Sequence, residues 1–188
     1  MTGAVARAEA LLAALRRINR VVALGVGALL LGCAALVLAD VVLRRLAHSF
    51  GGTDEISGYV MAIATAWGMG YALMELGHVR IDFLRARGGA AVRAAFDLFA
   101  LLTLAGTVSV IGWRAWPVVE RSLANGSRAN TPLETPLALV QMPWFAGWVW
   151  FALMAWLTFL AALVLVLNRE FGAADRAIGA LGEAEAQK

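Results

Sequence analysis

Residues 77–82 read Gly-His-Val-Arg-Ile-Asp, placing an imidazole, a guanidinium and a carboxylate at a spacing of two among apolar side chains. Within a bilayer His78, Arg80 and Asp82 would read as a proton relay, because ionisable groups in lipid are costly and mark pathways. Other ionisable side chains stand at the ends of apolar runs. Asp40 precedes Arg44 by four residues and Asp97 follows Arg93 by four, so each pair shares one helical face. Glu55 favours a helix N-terminus through the dipole, and Glu75 lies near the far end of the same run. Cys33 is the lone cysteine, which excludes a disulfide, a CxxC redox pair and a thiolate metal cage. The two histidines, His48 and His78, are expected at opposite membrane faces, where they cannot share a metal or a haem. No G-x-S-x-G, HExxH or P-loop pattern occurs, so neither catalysis nor a cofactor is expected.

Composition indicates the architecture that carries these groups. The chain has 188 residues, of which 61% are hydrophobic, and its mean hydropathy is +0.75. That is too apolar for a soluble domain, which must cover its surface with polar groups. Four stretches, 21–43, 56–77, 92–116 and 144–167, reach the roughly 20 residues a spanning helix requires. Their uninterrupted apolar character excludes the alternating pattern of a membrane barrel. The expected fold class is an all-α integral membrane protein with four transmembrane helices in one domain, residues 1–188. "LLGC" at Leu30–Cys33 resembles a lipoprotein processing box, but "AALVLADVVL" continues the apolar run beyond it, so the first helix is expected to stay.

Arginine placement sets the expected topology. The N-terminal tail, the loop between spans two and three and the C-terminal tail (168–188) hold 11 of the 16 basic residues, which predicts cytoplasmic termini. Trp113, Trp116, Trp144, Trp148 and Trp150 then form an outer aromatic belt. Residues 1–20 are helix-forming, with Val5, Ala8, Leu12 and Leu15 on one face and arginines largely elsewhere. They form either a lead-in turn of the first span or, as the favoured expectation, an amphipathic helix lying in the cytoplasmic interface with its arginines reaching anionic head groups. The stretch 117–143 is expected to be a long outer loop, rigidified by Pro132, Pro136 and Pro143 and folded onto the helix ends. A connection in a helical bundle ordinarily takes about 2–8 residues. Its excess length makes Thr131, Pro132, Leu133, Glu134 and Pro136 docking candidates. Asn125-Gly126-Ser127 is a glycosylation sequon, too common a signal to weigh.

Without a hydrophobic drive between helices in lipid, small residues do much of the packing. Gly25, Ala28, Gly32, Ala35 and Ala39 form one stripe in the first span, and Gly58, Ala62, Ala66 and Gly70 form another in the second. The two helices either pack on each other through these stripes or present one of them to a separate subunit. No charge falls at mid-membrane beside a Gly/Pro break, and no internal repeat is visible, unlike the sites of self-contained transporters. The pattern reads as a scaffold; the alternative is a self-sufficient homo-oligomeric four-helix transporter or channel. Arginines confined to loops form no basic stripe, so a nucleic-acid partner is not expected.

Four segments together carry a family resemblance: "DVVLRRL" (40–46), "FGGTDEISGYV" (50–60), "WGMGYALMELGHVRIDFL" (67–84) and "TPLETPLALVQMPWFAGW" (131–148). In order and topology they resemble the small membrane subunit (DctQ type) of TRAP transporters, the tripartite ATP-independent periplasmic systems. The resemblance implies a periplasmic solute-binding protein that captures an organic acid. A large multi-span permease subunit would import it with a sodium gradient, beside a small subunit that scaffolds the large one. It implies no substrate, metal or cofactor site on this chain, and an inner-membrane location among lipids. Residue by residue, Glu55 resembles the family's acidic opening of helix 2. Gly77, His78, Arg80 and Asp82 resemble its cytoplasmic turn, and Pro132, Pro136, Pro143 and Trp144 its outer loop. With the arginine count, Gly77–Asp82 becomes a solvated amphipathic turn, an anchor or subunit contact (with Glu55, His78, Arg80 and Asp82 as candidates) in place of a relay.

Overall fold

The computed structural model describes residues 3–46, 48, 50–78 and 85–179. Among them five helices run in the order α1 (Gly3–Arg45), α2 (Thr53–Met74), α3 (Ala90–Asn125), α4 (Leu137–Leu167) and α5 (Phe171–Ile178), with a 3-10 turn at Arg85–Arg87 before α3. The first four are each long and apolar enough to cross a membrane.

The helix ends have local causes. Gly51 and Gly52 adopt positive φ of 70° and 71°, a conformation that opens only to glycine without strain, and they turn the chain into α2. Asp54 and Glu55 occupy the first turn of α2, where carboxylates complement the dipole. α3 closes on Gly126 in the left-handed region, with the N–H groups of Gly126 and Ser127 returning to the carbonyls of Leu123 and Ser122.

Two prolines expected to lie in the outer loop lie in helices. α3 runs through Pro117 to Asn125, and α4 starts at Leu137 and runs through Pro143. The loop therefore shrinks from 117–143 to 126–136. An internal proline removes one i→i−4 bond, and neighbouring side chains can support the backbone around it. Here the Pro143 carbonyl accepts from Trp67 Nε1 (2.9 Å) and the Pro117 carbonyl from Arg121 Nε (3.1 Å).

The N-terminal segment is also redrawn. Residues 3–20 are continuous with the first span in one 43-residue helix, about 65 Å long. Val5, Ala8, Leu12 and Leu15 do form one buried face, as their spacing predicts. Protein covers that face: these residues join the core with Leu165 of α4 and Ala174, Ala177 and Ile178 of α5. The arginines at 7, 16, 17 and 20 stay exposed.

Packing builds two antiparallel pairs, α1 with α2 and α3 with α4, joined by α2 and α1 against α4. α5 lies across the ends of α3 and α4. The core centres on α4, where Phe151, Met154, Ala155, Ala162 and Leu165 meet Leu101, Ala105 and Val108 of α3.

Candidate functional site

At one end of the bundle a buried carboxylate organises the turn between α1 and α2. Asp40 is 1% exposed. Its Oδ2 accepts from Arg44 Nε (2.8 Å) and from the Thr53 hydroxyl (2.9 Å), and its Oδ1 accepts from the Phe50 amide (2.9 Å). The pairing with Arg44 follows from the spacing of four. The two bonds across the turn are tertiary, and they tie the end of α1 to the start of α2.

Beside this turn the outer segment folds back as a short hairpin. Arg128 and Pro136 form an antiparallel bridge, the Ala129 amide donates to Thr135 O (2.9 Å) and the Leu137 amide to Ser127 O (2.9 Å). The tip closes through the Glu134 amide onto Thr131 O (3.0 Å), with Glu134 at φ 46°. Leu133 covers Gly52 so closely that a Cβ there would stand 2.4 Å from Leu133 Cγ. Glu55 pins the hairpin from α2: its Oε1 accepts from Tyr59 Oη (2.5 Å) and Thr135 Oγ1 (3.0 Å). Glu55 therefore does more than complement a dipole. The hairpin lies down on the helix ends as expected, while Thr131, Pro132, Leu133 and Glu134 keep their outer sides exposed and Pro136 is half-buried at the start of α4. Between the tip and α2 runs an open groove of 530 Å³ lined by Gly52, Asp54, Glu55, Gly58, Tyr59, Thr131 and Pro132.

The two small-residue stripes have different fates. On α2, Ala66 and Gly70 are buried, whereas Gly58 and Ala62 are exposed. A Cβ on Gly147 of α4 would stand 2.7 Å from Ala66 Cβ, so these helices touch backbone to backbone. A Cβ on Gly70 would meet Asn19 Oδ1 at 2.7 Å. That oxygen accepts from Trp150 Nε1 (3.1 Å), and Asn19 Nδ2 donates to Leu15 O (3.0 Å), so a fully buried amide joins α1, α2 and α4. Trp150 thus leaves the expected outer belt for an interior hydrogen bond. Asn19 was visible in sequence only as one polar residue preceding an apolar run. On α1, by contrast, Gly25, Ala28, Gly32, Ala35 and Ala39 all face outward. Nothing lies within 4 Å of a Cβ built on Gly25 or Gly32. The α1 stripe does not pack on α2.

At the other end a second buried ion pair holds three segments together. Arg85 donates to Asp97 of α3 through Nε (2.9 Å) and Nη2 (3.0 Å), and its Nη2 also bonds the Asp175 carboxylate of α5. Arg85 and Asp97 are 4% and 2% exposed. Burial pulls the guanidinium pKa down, and the Asp97 hydrogen bonds with the charges of Asp97 and Asp175 outweigh it, so it rises above its ordinary value. Sequence spacing pairs Asp97 with Arg93; the structure adds a bidentate partner from the loop, Arg85.

His78 is half-buried, with its ring stacked on Phe151 at a centroid distance of 5.9 Å and 21° between planes. It is packed against α4 and does not stand in solvent as expected of an interfacial turn. Arg80 and Asp82 lie outside the described residues. Among the described residues no group of three His, Cys, Asp or Glu side chains converges on a metal position.

The family model for tripartite ATP-independent periplasmic transporters, DctQ component, matches residues 33–164. The chain belongs to the DctQ family. It is thus the small subunit of a TRAP transporter, a multi-pass inner-membrane component of a system that also has a large permease and a binding protein, and not an enzyme. The matched span takes in the Asp40 turn, Glu55, the hairpin and most of α4; the N-terminal arm of α1 and all of α5 lie outside it. Comparisons with curated proteins and with solved structures return no match.

Proposed function

We propose that this DctQ subunit is a non-catalytic scaffold that holds the large permease subunit during cation-coupled, binding-protein-dependent uptake of an organic acid. The observation that carries the reading is the uncovered face of α1. In its most apolar 18-residue window, 0% of the residues are buried within the chain. Lipid can cover leucine, but an outward stripe of small residues is suited to close approach by another helix. Gly25, Ala28, Gly32, Ala35 and Ala39 of α1, together with the exposed Gly58 and Ala62 of α2, are the proposed contacts with the permease. The turn carrying His78, Arg80 and Asp82 is proposed as a further contact on the cytoplasmic side, the side that the arginine excess favours for both termini. The ionic clusters at the bundle ends tie helices of this chain to one another, which fits a support better than a transport pathway.

The test is co-purification. A tagged chain expressed with the permease is expected to bring it down in stable complex, and Gly32→Leu to lower the yield of complex while leaving the isolated chain folded. A well-behaved monomer, together with unimpaired uptake after deletion of this subunit, would sink the reading. The exposed hairpin tip is proposed to dock the periplasmic binding protein. Replacing Leu133 and Glu134 with serine is expected to reduce uptake without reducing membrane levels, and unchanged uptake counts against docking.

A further inference from the structure

At the end of the bundle opposite the hairpin, a groove of 200 Å³ opens between the N-terminal arm of α1 and the α4–α5 corner. Its walls bring together residues from both ends of the chain: Leu12 and Arg16 from α1, Leu165 from α4, Arg176 and Ala177 from α5. Arg16 Nη2 donates to the backbone carbonyl of Arg176 (3.0 Å), which fixes the first guanidinium beside the second side chain. That bond uses one of five N–H donors in the guanidinium fork. Both arginines are exposed; Leu12 and Leu165 lie buried beneath the groove, and Ala13 and Ala173 are its accessible apolar floor.

The depth of the groove is set by where the apolar runs stop. The α1 run begins at Val21 directly after Arg20, and that of α4 ends at Leu167 before Asn168 and Arg169. Leu165 and Arg16 therefore lie at the boundary between hydrocarbon and head groups. Exposed Arg20 and Arg169 stand at the ends of the same two apolar runs. Of the nearby carboxylates, Asp175 is engaged by Arg85, and Glu9 stands half-buried on the groove wall.

We infer that this groove is a binding site for one anionic phospholipid, with its phosphate held between Arg16 and Arg176 and an acyl chain laid against Ala13 and Ala173. Two guanidinium groups supply charge-assisted, fork-shaped donors that match phosphate geometry. The apolar floor gives the acyl chain a contact that a free phosphate could not use. The volume admits a phosphate and its glycerol carbons, and the tails leave through the open side. A lipid seated there adds a second link between α1 and α5 beside the Arg16–Arg176 hydrogen bond. The site involves residues outside the family-matched span, and it does not depend on the scaffold reading.

Native mass spectrometry of the full-length chain in detergent, supplied with phosphatidylglycerol or phosphatidylcholine of identical tails, tests this. The wild type is expected to retain one phosphatidylglycerol in clear preference to phosphatidylcholine. Arg176→Gln is expected to reduce that retention roughly 5-fold, the effect of one arginine at an anionic surface. This variant keeps the backbone carbonyl that holds Arg16, so folding is preserved. Arg16→Gln is expected to do at least as much, whereas Arg17→Gln, one residue away and not part of the groove, is expected to leave retention near wild type. Equal retention of the two lipids overturns the site, as does an Arg17→Gln loss equal to that of Arg176→Gln. Competition by glycerol 3-phosphate as effective as that by the lipid also overturns it, because the apolar floor would then contribute nothing. Displacement of the lipid when the permease is bound would make the groove a protein contact instead.

Discussion

Replacing Gly147 with alanine tests the packing argument at its tightest point. The added Cβ would lie 2.7 Å from Ala66 Cβ, 2.8 Å from Trp67 Cδ1 and 3.0 Å from the Ala66 carbonyl carbon. Ordinary carbon–carbon contact needs about 3.5–4.0 Å, so α2 and α4 must separate by about 1 Å. Two of the obstructing atoms belong to Ala66, which has no flexible side chain to yield. Overpacking of this kind costs about 1–3 kcal/mol. The same separation stretches the 2.9 Å bond from Trp67 Nε1 to Pro143 O beyond hydrogen-bonding range, a further loss of about 0.5–1.5 kcal/mol. A total of about 1.5–4.5 kcal/mol corresponds to a fall of roughly 3–18 °C in Tm for a chain of this length. Tryptophan fluorescence during thermal unfolding in detergent reads the site directly, because Trp67 and Trp150 are stacked at 5.9 Å beside it. Gly32→Ala is the matched control. With nothing within 4 Å, it removes a helix-interior glycine and is expected to leave Tm unchanged or raise it. If Gly147→Ala melts with the wild type, or both substitutions lower Tm equally, the distinction between a packed stripe and an outward one is wrong.

Asp40→Ala is expected to destabilise the isolated chain by roughly 2–4 kcal/mol, since the buried Thr53 hydroxyl and the Phe50 amide lose their acceptor. Faster proteolysis between α1 and α2 would be the local sign, and an unchanged digestion pattern would count against it. Arg85→Met leaves the Asp97 carboxylate buried without its bidentate partner and is expected to cost about 3–5 kcal/mol. Adding Asp97→Leu should restore much of the loss in denaturation by heat, and a double variant no better than the single one would refute the pair. Glu55→Gln weakens the hold of α2 on the hairpin through Tyr59 and Thr135. Increased hydrogen exchange at Ala129 and Glu134, with α3 and α4 unaffected, is the expected outcome.

Composition and short-range periodicity, both legible in the bare chain, account for the helices and their local faces. Four apolar stretches of spanning length make four helices, because a backbone in lipid must satisfy its own hydrogen bonds. The spacing of four between Asp40 and Arg44 produced their pair, and Val5, Ala8, Leu12 and Leu15 produced one buried face. Prolines misled at 117 and 143, because an internal proline costs a helix one hydrogen bond, and an apolar run long enough to pack as one helix can continue through it. Whatever required knowing which face meets which neighbour came from the packing in three dimensions. Both stripes of small residues look alike in sequence, yet Ala66 and Gly70 are buried against α4 and α1 while Gly25 and Gly32 stand open. Asp97 also takes a bidentate partner, Arg85, that no helical spacing points to. Arg16 and Arg176 meet across the chain. Periodicity tells which residues share a side of one helix; only the packing of helices assigns that side to protein or leaves it open.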